Sequence, residues 1–508
     1  MFVSAAVLSS CNLDIDPTTV LKDKDAATLE HLDGVFVGLY SGMKVVTSGE
    51  YLYYADYHTD LFFETRSSGN RGGYFASWSL NSVDSNVASM WLGYYDMVKR
   101  VNYALDLLDR FEAKDTAGEY ASEIKMYRAE AHFFRAYFMH QLVLRFCADY
   151  DPATAGNLPG VPYPKEFDPD AQLPRGTLEQ TYENILEDIE AAAYLNAKPE
   201  EPGDADDADD TDDAGVLNVR FGAPDSFYVT GDALTAFKAQ VALQMHDYTT
   251  ASACASSLYA TYPLVKSADE LVSMWRDDIS TETILRLEVN SSTNLSSVGA
   301  MADYYNGTWS SEDQTFICVP AYVPAKETVE AFAENDYRFG LYVSPGTVYF
   351  NNSNIEEGVL LTKFLGNRLF QTSEKVYLYR NMPKVFRVAE MYLVDAEAQY
   401  RLGGDALTPL NALRASRGLE AVSVSGDELF EEIKLERKRE LIGEGHRQTD
   451  LKRWGDGFMV NPQYVYRYFV RSEVMVRQAD ATGFVWPIPE DEISNNRNIT
   501  SADQNPGY

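Results

Sequence analysis

The sequence predicts a mostly α-helical protein in which paired helices form a scaffold for an irregular, loop-rich region. The first observation is that apolar residues recur every three or four positions over several long segments, which is the period of a buried helix face. The second is that two other regions, at about residues 50–83 and 290–380, contain segments dense in polar, Gly, Ser and aromatic residues. We expect long functional loops in these two regions. With 508 residues, of which 45% are hydrophobic, the chain is long enough to bury a large core.

The helical scaffold is predicted to lie in four stretches of the chain. These stretches are mainly residues 25–45, 87–147, 178–263 and 384–455. Within them, one helix is expected from Val87 to Phe111 and another from Leu178 to Leu195. Two short fragments, Ile284–Val289 and Val348–Phe350, resemble β-strands.

One helical segment resembles a tetratricopeptide unit. Tyr248 is followed by Ala251 three residues later and by Pro263 fifteen residues later, which are offsets of the second helix of that repeat. A small Ala at this position lets two helices approach closely. An ordinary helical hairpin would give the same local pattern, but several such segments together favour a scaffold of stacked helix pairs.

A charged run near the C-terminus carries an unusual combination of residues on one helix face. Read as a helix, residues 429–444 place Leu429 and Ile433 in line with Glu436, Glu440 and Glu444. One interpretation is a solvated face laced with charges. The other is a partly buried network of ion pairs that fixes a single packing arrangement.

The charge and the motifs exclude several classes of function. The net charge of −34 argues against nucleic acid as a partner, because a phosphate backbone would be repelled. The acidic run at residues 200–213 is interpreted as a solvated loop. A calcium site is the alternative, but the spacing of the carboxylates lacks the order of an EF-hand. No metal site is therefore predicted. No catalytic or nucleotide-binding motif occurs, so neither an enzyme nor a cofactor is expected.

The first residues resemble a bacterial lipoprotein signal. A short apolar run is followed by Leu8-Ser9-Ser10-Cys11, which is similar to a lipobox. We expect residues 1–10 to be a signal peptide, Cys11 to be acylated, and residues 11–508 to form a single domain. Acyl chains would anchor the protein stably, since each buried CH₂ contributes roughly 0.8 kcal/mol. An ordinary signal peptide or a buried N-terminal segment is the alternative.

The C-terminal run also resembles the signature of the RagB/SusD family, the surface glycan-binding lipoproteins of Bacteroidetes. Gln448 and Thr449 depart from the aromatic pair often found there. The matching residues are Glu436, Arg437, Arg439, Glu440, Leu441, Glu444, Gly445, His446, Arg447, Asp450, Leu451, Arg453, Trp454 and Gly455.

The resemblance implies a SusD-like helical fold and a lipid-anchored protein on the cell-surface side of the outer membrane. It further implies that the protein binds oligosaccharide without cleaving it. The oligosaccharide would pass to a SusC-like TonB-dependent transporter. Two alternatives stay open: a surface glycoside hydrolase, or a peptide-binding or interaction scaffold of the same fold.

Sugars present C–H faces that stack on flat rings, so a glycan site needs exposed aromatic residues on loops. Two clusters meet this condition, and packing between loop and scaffold is the alternative role for each. Trp91, Trp454 and Trp486 are assigned structural roles instead, because they lie in segments that resemble structural motifs of the family. The predicted ligand-binding residues are Tyr74, Phe75 and Trp78 in the first cluster and Tyr304, Tyr305 and Trp309 in the second.

Overall fold

The computed structural model describes residues 28–65, 73–197, 227–289, 307–310, 315–318, 320–350, 354–370, 379–463 and 474–508. Cys11, the acidic run at 200–213, Tyr304 and Tyr305 lie outside these ranges. The α-helices in the described ranges are α1 Leu29–Val46, α2 Glu50–Tyr57, α3 Gly73–Ser77, α4 Ser85–Glu112, α5 Ala121–Phe146, α6 Leu178–Ala191, α7 Gly231–Gln244, α8 Tyr248–Ser257, α9 Ala268–Arg276, α10 Lys326–Glu330, α11 Val388–Leu402, α12 Leu407–Ser416, α13 Asp427–Glu440, α14 Arg447–Trp454 and α15 Glu490–Asn495.

The strands form small sheets that connect distant parts of the chain. Three sheets are antiparallel pairs: β1 with β5, β2 with β8, and β9 with β10. The fourth sheet has the order β3-β4-β6-β7, in which β4 and β6 run parallel and the other pairs run antiparallel. The strands are β1 Phe62–Glu64, β2 Thr283–Arg286, β3 Gly307–Ser310, β4 Thr315–Cys318, β5 Tyr322–Pro324, β6 Val343–Phe350, β7 Asn354–Leu361, β8 Lys384–Arg387, β9 Phe458–Val460 and β10 Met475–Arg477.

Packed helices form the scaffold, as predicted. Helix α4 packs on α5, α7 packs on α8, and α8 packs in turn on α11. Ala251 and Ala255 of α8 are fully buried, which is consistent with a close approach of neighbouring helices. Phe133, Phe134 and Phe138 are also fully buried, so α5 has apolar surroundings on more than one face.

Local cap chemistry sets several helix starts. The Asp84 side chain accepts hydrogen bonds from the backbone N–H groups of Asn86 and Val87 at the start of α4. Thr177 and Gln180 form a reciprocal capping box at the start of α6. The predicted helices 87–111 and 178–195 therefore begin close to their expected positions, although residues 192–196 form a 3₁₀ turn.

The two predicted loop regions contain more regular structure than expected. Residues 50–83 include α2, β1 and α3, and residues 307–361 include the five strands β3 to β7, among them the hairpin β6–β7. The strand-like fragment at 348–350 is the end of β6, and the fragment at 284–289 overlaps β2. Strand β1 of the first region pairs with β5 of the second, and local patterning does not report a pairing between such distant segments.

The C-terminal carboxylates form a buried ion network, which confirms the second interpretation of that run. Glu436 and Glu440 are 0% exposed on α13. The helix ends at Glu440, and Glu444 follows in a turn where Gly443 adopts φ +80°. The Glu440 carboxylate accepts from Arg387 Nη1 at 2.9 Å and from Arg417 Nε at 2.9 Å. These guanidinium groups hold the pKa of Glu440 well below its ordinary value, against the effect of burial.

None of the described helices combines the length and the apolar character that crossing a bilayer requires. Within the described ranges, no group of three or more His, Cys, Asp or Glu side chains is placed to hold a metal ion.

Candidate functional site: an aromatic surface beside α3

The short helix α3 places its two adjacent aromatic residues in different surroundings. Tyr74 is 44% exposed, whereas Phe75 is 0% exposed. Phe75 stacks on Tyr54 with ring centres 4.4 Å apart and contacts Trp486 at 4.9 Å. Consecutive helical residues project about 100° apart, so one ring enters the core when its neighbour faces solvent. Of these two predicted ligand-binding residues, only Tyr74 is presented to solvent in the structure, and Phe75 packs between loop and scaffold.

Trp78 is half-buried and is fixed by a cage of other rings. Its ring stacks on His58 with centres 4.1 Å apart and meets Phe484 edge-on at 4.9 Å. The backbone of Trp78 adopts φ +58°, a left-handed conformation that is strained for a bulky residue. A Cβ added at Gly483 would lie 2.5 Å from the indole ring, so a glycine is needed there. The surrounding packing thus holds Trp78 in one orientation.

His58 lies beneath Trp78 and is fully buried. Its Nδ1 lies 2.7 Å from the Phe75 carbonyl oxygen, and its Nε2 lies 2.7 Å from the Gly483 carbonyl oxygen. Burial lowers the pKa of His58 to about 4, although the two carbonyl contacts act to raise it. The nearby charge of Arg477 lowers it further. The stacked imidazole helps to position Trp78.

Arg477 of β10 covers the same indole. Its guanidinium carbon lies 5.3 Å from the centre of the Trp78 ring. The guanidinium donates to the carbonyl oxygens of Val476 at 3.0 Å and of Ser77 at 3.2 Å. Partial burial lowers its pKa from the ordinary arginine value. This contact joins β10 to the end of α3, the short helix that carries Tyr74.

The face of the β9–β10 ribbon that points away from Arg477 carries exposed apolar side chains. Val476 pairs with Met459 across the ribbon, so the two side chains share a face. They are 51% and 49% exposed, and Val474, two residues earlier, is 50% exposed. Phe458 lies on the opposite face and packs into the core beside Phe484.

The second predicted cluster is described in part. Trp309 lies in β3, where its backbone pairs with Phe316 of β4. Tyr304 and Tyr305 fall outside the described residues. A continuous series of contacts joins the two clusters: α3 contacts β1, β1 pairs with β5, and β5 contacts β7, which leads through β6 and β4 to β3.

The three tryptophans that are predicted to have structural roles are buried or hydrogen-bonded within the fold. Trp91 and Trp486 are 1% and 0% exposed. The Trp91 indole N–H donates to Glu492 at 3.1 Å, and that of Trp454 donates to Glu397 at 2.9 Å.

Sequence reasoning missed His58 and Arg477, since nothing in the local pattern of either residue indicates that it meets Trp78.

A cavity of about 100 Å³ lies elsewhere, and its lining residues include Tyr137 and His140 of α5, Gln240 of α7 and Lys384 of β8. A protein cavity of roughly 150 Å³ holds one benzene molecule. An oligosaccharide is several times larger than benzene, so this cavity is too small for it.

Two family profiles match this chain. Residues 290–508 match the SusD family, and residues 13–202 match the family described as starch-binding associating with outer membrane. The starch-binding protein SusD of Bacteroides thetaiotaomicron is 36% identical over 127 residues, which cover 24% of this chain and 21% of that protein. A SusD-like protein of Formosa agariphila is 23% identical over 510 residues, which cover 89% of this chain and 90% of that protein.

The fold is also that of a solved relative. A SusD superfamily protein from Bacteroides vulgatus superposes with a TM-score of 0.72 at 21% identity, over 95% of this chain and 99% of that one. The predicted fold class and the resemblance noted in the C-terminal run are thereby confirmed. The chain belongs to the SusD/RagB family of glycan-binding proteins.

Proposed function

We propose that this protein binds an oligosaccharide, without cleaving it, on the surface around Tyr74. The observation that carries the proposal is an exposed tyrosine ring four residues before a tryptophan whose orientation the fold fixes. Flat rings offer a large contact area to the C–H faces of a sugar at low cost in conformational entropy. Trp78 adds rigidity to this surface, because its cage forbids other orientations.

The strained backbone of Trp78 supports a functional role for this surface. Left-handed backbone in a bulky residue costs on the order of 1–3 kcal/mol and persists where the surroundings enforce it. Such strain concentrates at binding sites, where it holds a side chain ready for a ligand. We propose that Trp309, Tyr304 and Tyr305 complete the site from the β3 side, since contacts between elements link β3 to α3.

Membership of the family supports a proposal for the location and the partner. We propose a lipid anchor at Cys11, a position on the cell-surface side of the outer membrane, and transfer of the bound oligosaccharide to a SusC-like TonB-dependent transporter. A shallow surface site gives weak binding to a single glycan. Retention then comes from many copies or from the adjoining transporter, which raise the effective concentration.

Calorimetric titration with purified oligosaccharides tests the proposal. Tyr74→Ala should weaken binding by on the order of 1–3 kcal/mol, because an exposed stacking ring is lost. Phe167→Ala is the matched control, since Phe167 is also an exposed aromatic residue, at 38%, and its ring packs on Tyr103 of α4. Equal affinities of the two variants would remove the α3 surface from the site.

Two further outcomes decide between the proposal and its alternatives. New reducing ends after incubation of the pure protein with glycans would identify a glycoside hydrolase. Binding to a peptide library, together with no binding to any glycan, would identify a peptide-binding scaffold instead.

A further inference from the structure

Arg477 of β10 differs from the arginines of the buried ion network in the groups that it contacts. Arg338, Arg387 and Arg417 each contact carboxylates at 3.1 Å or less. Arg477 has no carboxylate partner among the described residues, although the chain has 77 acidic and 43 basic residues. Its hydrogen bonds go to two backbone carbonyl oxygens, which leave its positive charge uncompensated.

The position of this charge matters as much as its lack of a partner. The guanidinium is half-buried beside Trp78, and it bonds to Ser77 between the two aromatic residues of the proposed site. A guanidinium has more N–H donors than two carbonyls accept, so donors remain for another group. Their planar fork matches the paired oxygens of a carboxylate or a sulfate.

We propose that the ligand of this surface is an acidic oligosaccharide, whose carboxylate or sulfate group binds Arg477 while a neighbouring sugar ring contacts Tyr74. This inference rests on the proposed function and specifies the class of glycan. Arg477 is then a recognition group, and the acidic sugar supplies the counter-charge that none of the described carboxylates supplies.

The net charge of −34 does not oppose this assignment at short range. At physiological ionic strength the Debye length is about 8 Å, so distant carboxylates are largely screened. A contact with Arg477 is shorter than that length. Partial burial further strengthens a charge-assisted hydrogen bond relative to one in open water.

The test is a titration panel of acidic and neutral oligosaccharides against the purified protein. The acidic probes are oligogalacturonate, oligoalginate and sulfated galactan fragments, and the neutral probes are malto-, cello- and laminari-oligosaccharides. Methyl-esterified oligogalacturonate and desulfated galactan fragments serve as neutral partners of the same backbone. These pairs separate carboxylate recognition from sulfate recognition.

We expect at least one acidic probe to bind tenfold or more tightly than its neutral partner. Arg477→Gln should abolish this preference and leave the weaker binding of the neutral partner within twofold. Arg477→Lys should retain part of the preference, because the charge remains while the planar fork is lost. Unchanged melting temperatures show that both variants keep the fold.

Three results would overturn the inference, and they bear differently on the function. If every bound probe is neutral, or if the preference survives in Arg477→Gln, acidic recognition by Arg477 is wrong. In either case, loss of binding in Tyr74→Ala would still support the proposed glycan site. If no oligosaccharide of either kind binds the wild-type protein, both the proposed function and this inference fail.

Discussion

Replacing Glu440 by Gln should destabilise the protein strongly, because it removes the central charge of a buried network. The carboxylate accepts from Arg338 at 3.1 Å and from Arg387 and Arg417 at 2.9 Å, and all three guanidinium groups are 1% exposed or less. The glutamine keeps the shape of the side chain. It also replaces one acceptor oxygen with an NH₂ group, whose hydrogens face the N–H donors of the arginines.

The expected loss of stability depends on the carboxylates that still contact the three arginines after the substitution. Hydrogen bonds to charged groups contribute about 1.5–3 kcal/mol each, which sets an upper range for the loss. Glu282 and Glu444 still contact Arg417 and Arg387, so part of the positive charge stays compensated. Breaking a buried ion pair from one side costs about 3–5 kcal/mol, and we expect a loss in that range. Typical total stabilities are about 5–15 kcal/mol, so the loss is a large share.

Urea unfolding at pH 7, followed by far-UV circular dichroism, measures this loss. Asp96→Asn is the matched control, since Asp96 pairs with Arg100 at 2.8 Å while both side chains are more than half exposed. That surface pair should contribute less than about 1 kcal/mol. A free energy of unfolding for Glu440→Gln within about 1 kcal/mol of the wild type would refute the reasoning.

Three further predictions concern a titrating carboxyl, an aromatic residue and two glycines. Burial raises the pKa of Asp56 to about 7, so between about pH 4 and 7 the folded protein keeps a proton that the unfolded chain has released. The free energy of unfolding therefore falls as pH rises through that window, and Asp56→Asn should flatten this fall in urea titrations at pH 4.5 and 7.5. Trp309→Ala should weaken glycan binding by on the order of 1–3 kcal/mol at an unchanged melting temperature, and an identical titration curve would remove Trp309 from the site. Gly445 and Gly403 have φ +80° and +70°, so alanine at either costs roughly 1–2 kcal/mol of strain. Gly445→Ala should lower the melting temperature more than Gly403→Ala does. A Cβ added at Gly445 would lie 3.2 Å from the backbone oxygen of Leu52, whereas a Cβ at Gly403 meets open space. Equal shifts in the two variants would contradict this prediction.

The charged run of α13 separates what a pattern predicts from what packing adds. Helical periodicity alone placed Ile433, Glu436 and Glu440 on one face, because that period depends only on neighbouring residues. The partners of Glu440 were not predictable in this way. Arg338 lies 102 residues away in sequence and Arg387 lies 53 residues away.

The aromatic residues in and just after α3 also show the difference between what the sequence predicts and what tertiary packing adds. Composition and loop character indicated that Tyr74, Phe75 and Trp78 belong to one cluster. Their exposures differ because Phe75 meets Tyr54 and Trp486, and Trp78 meets His58 and Phe484. These contacts join segments up to several hundred residues apart, which no local pattern reports.

By itself, the sequence determined the helical scaffold, the family and the face of α13 that carries the carboxylates. Each of these depends on residue order over short distances, through helical period, cap chemistry or a contiguous motif. Only the tertiary structure decided that Phe75 is buried, that Tyr74 is exposed and that Arg477 lies unpaired beside Trp78. Burial and charge compensation depend on which distant segments meet, and that is settled by packing of the whole chain.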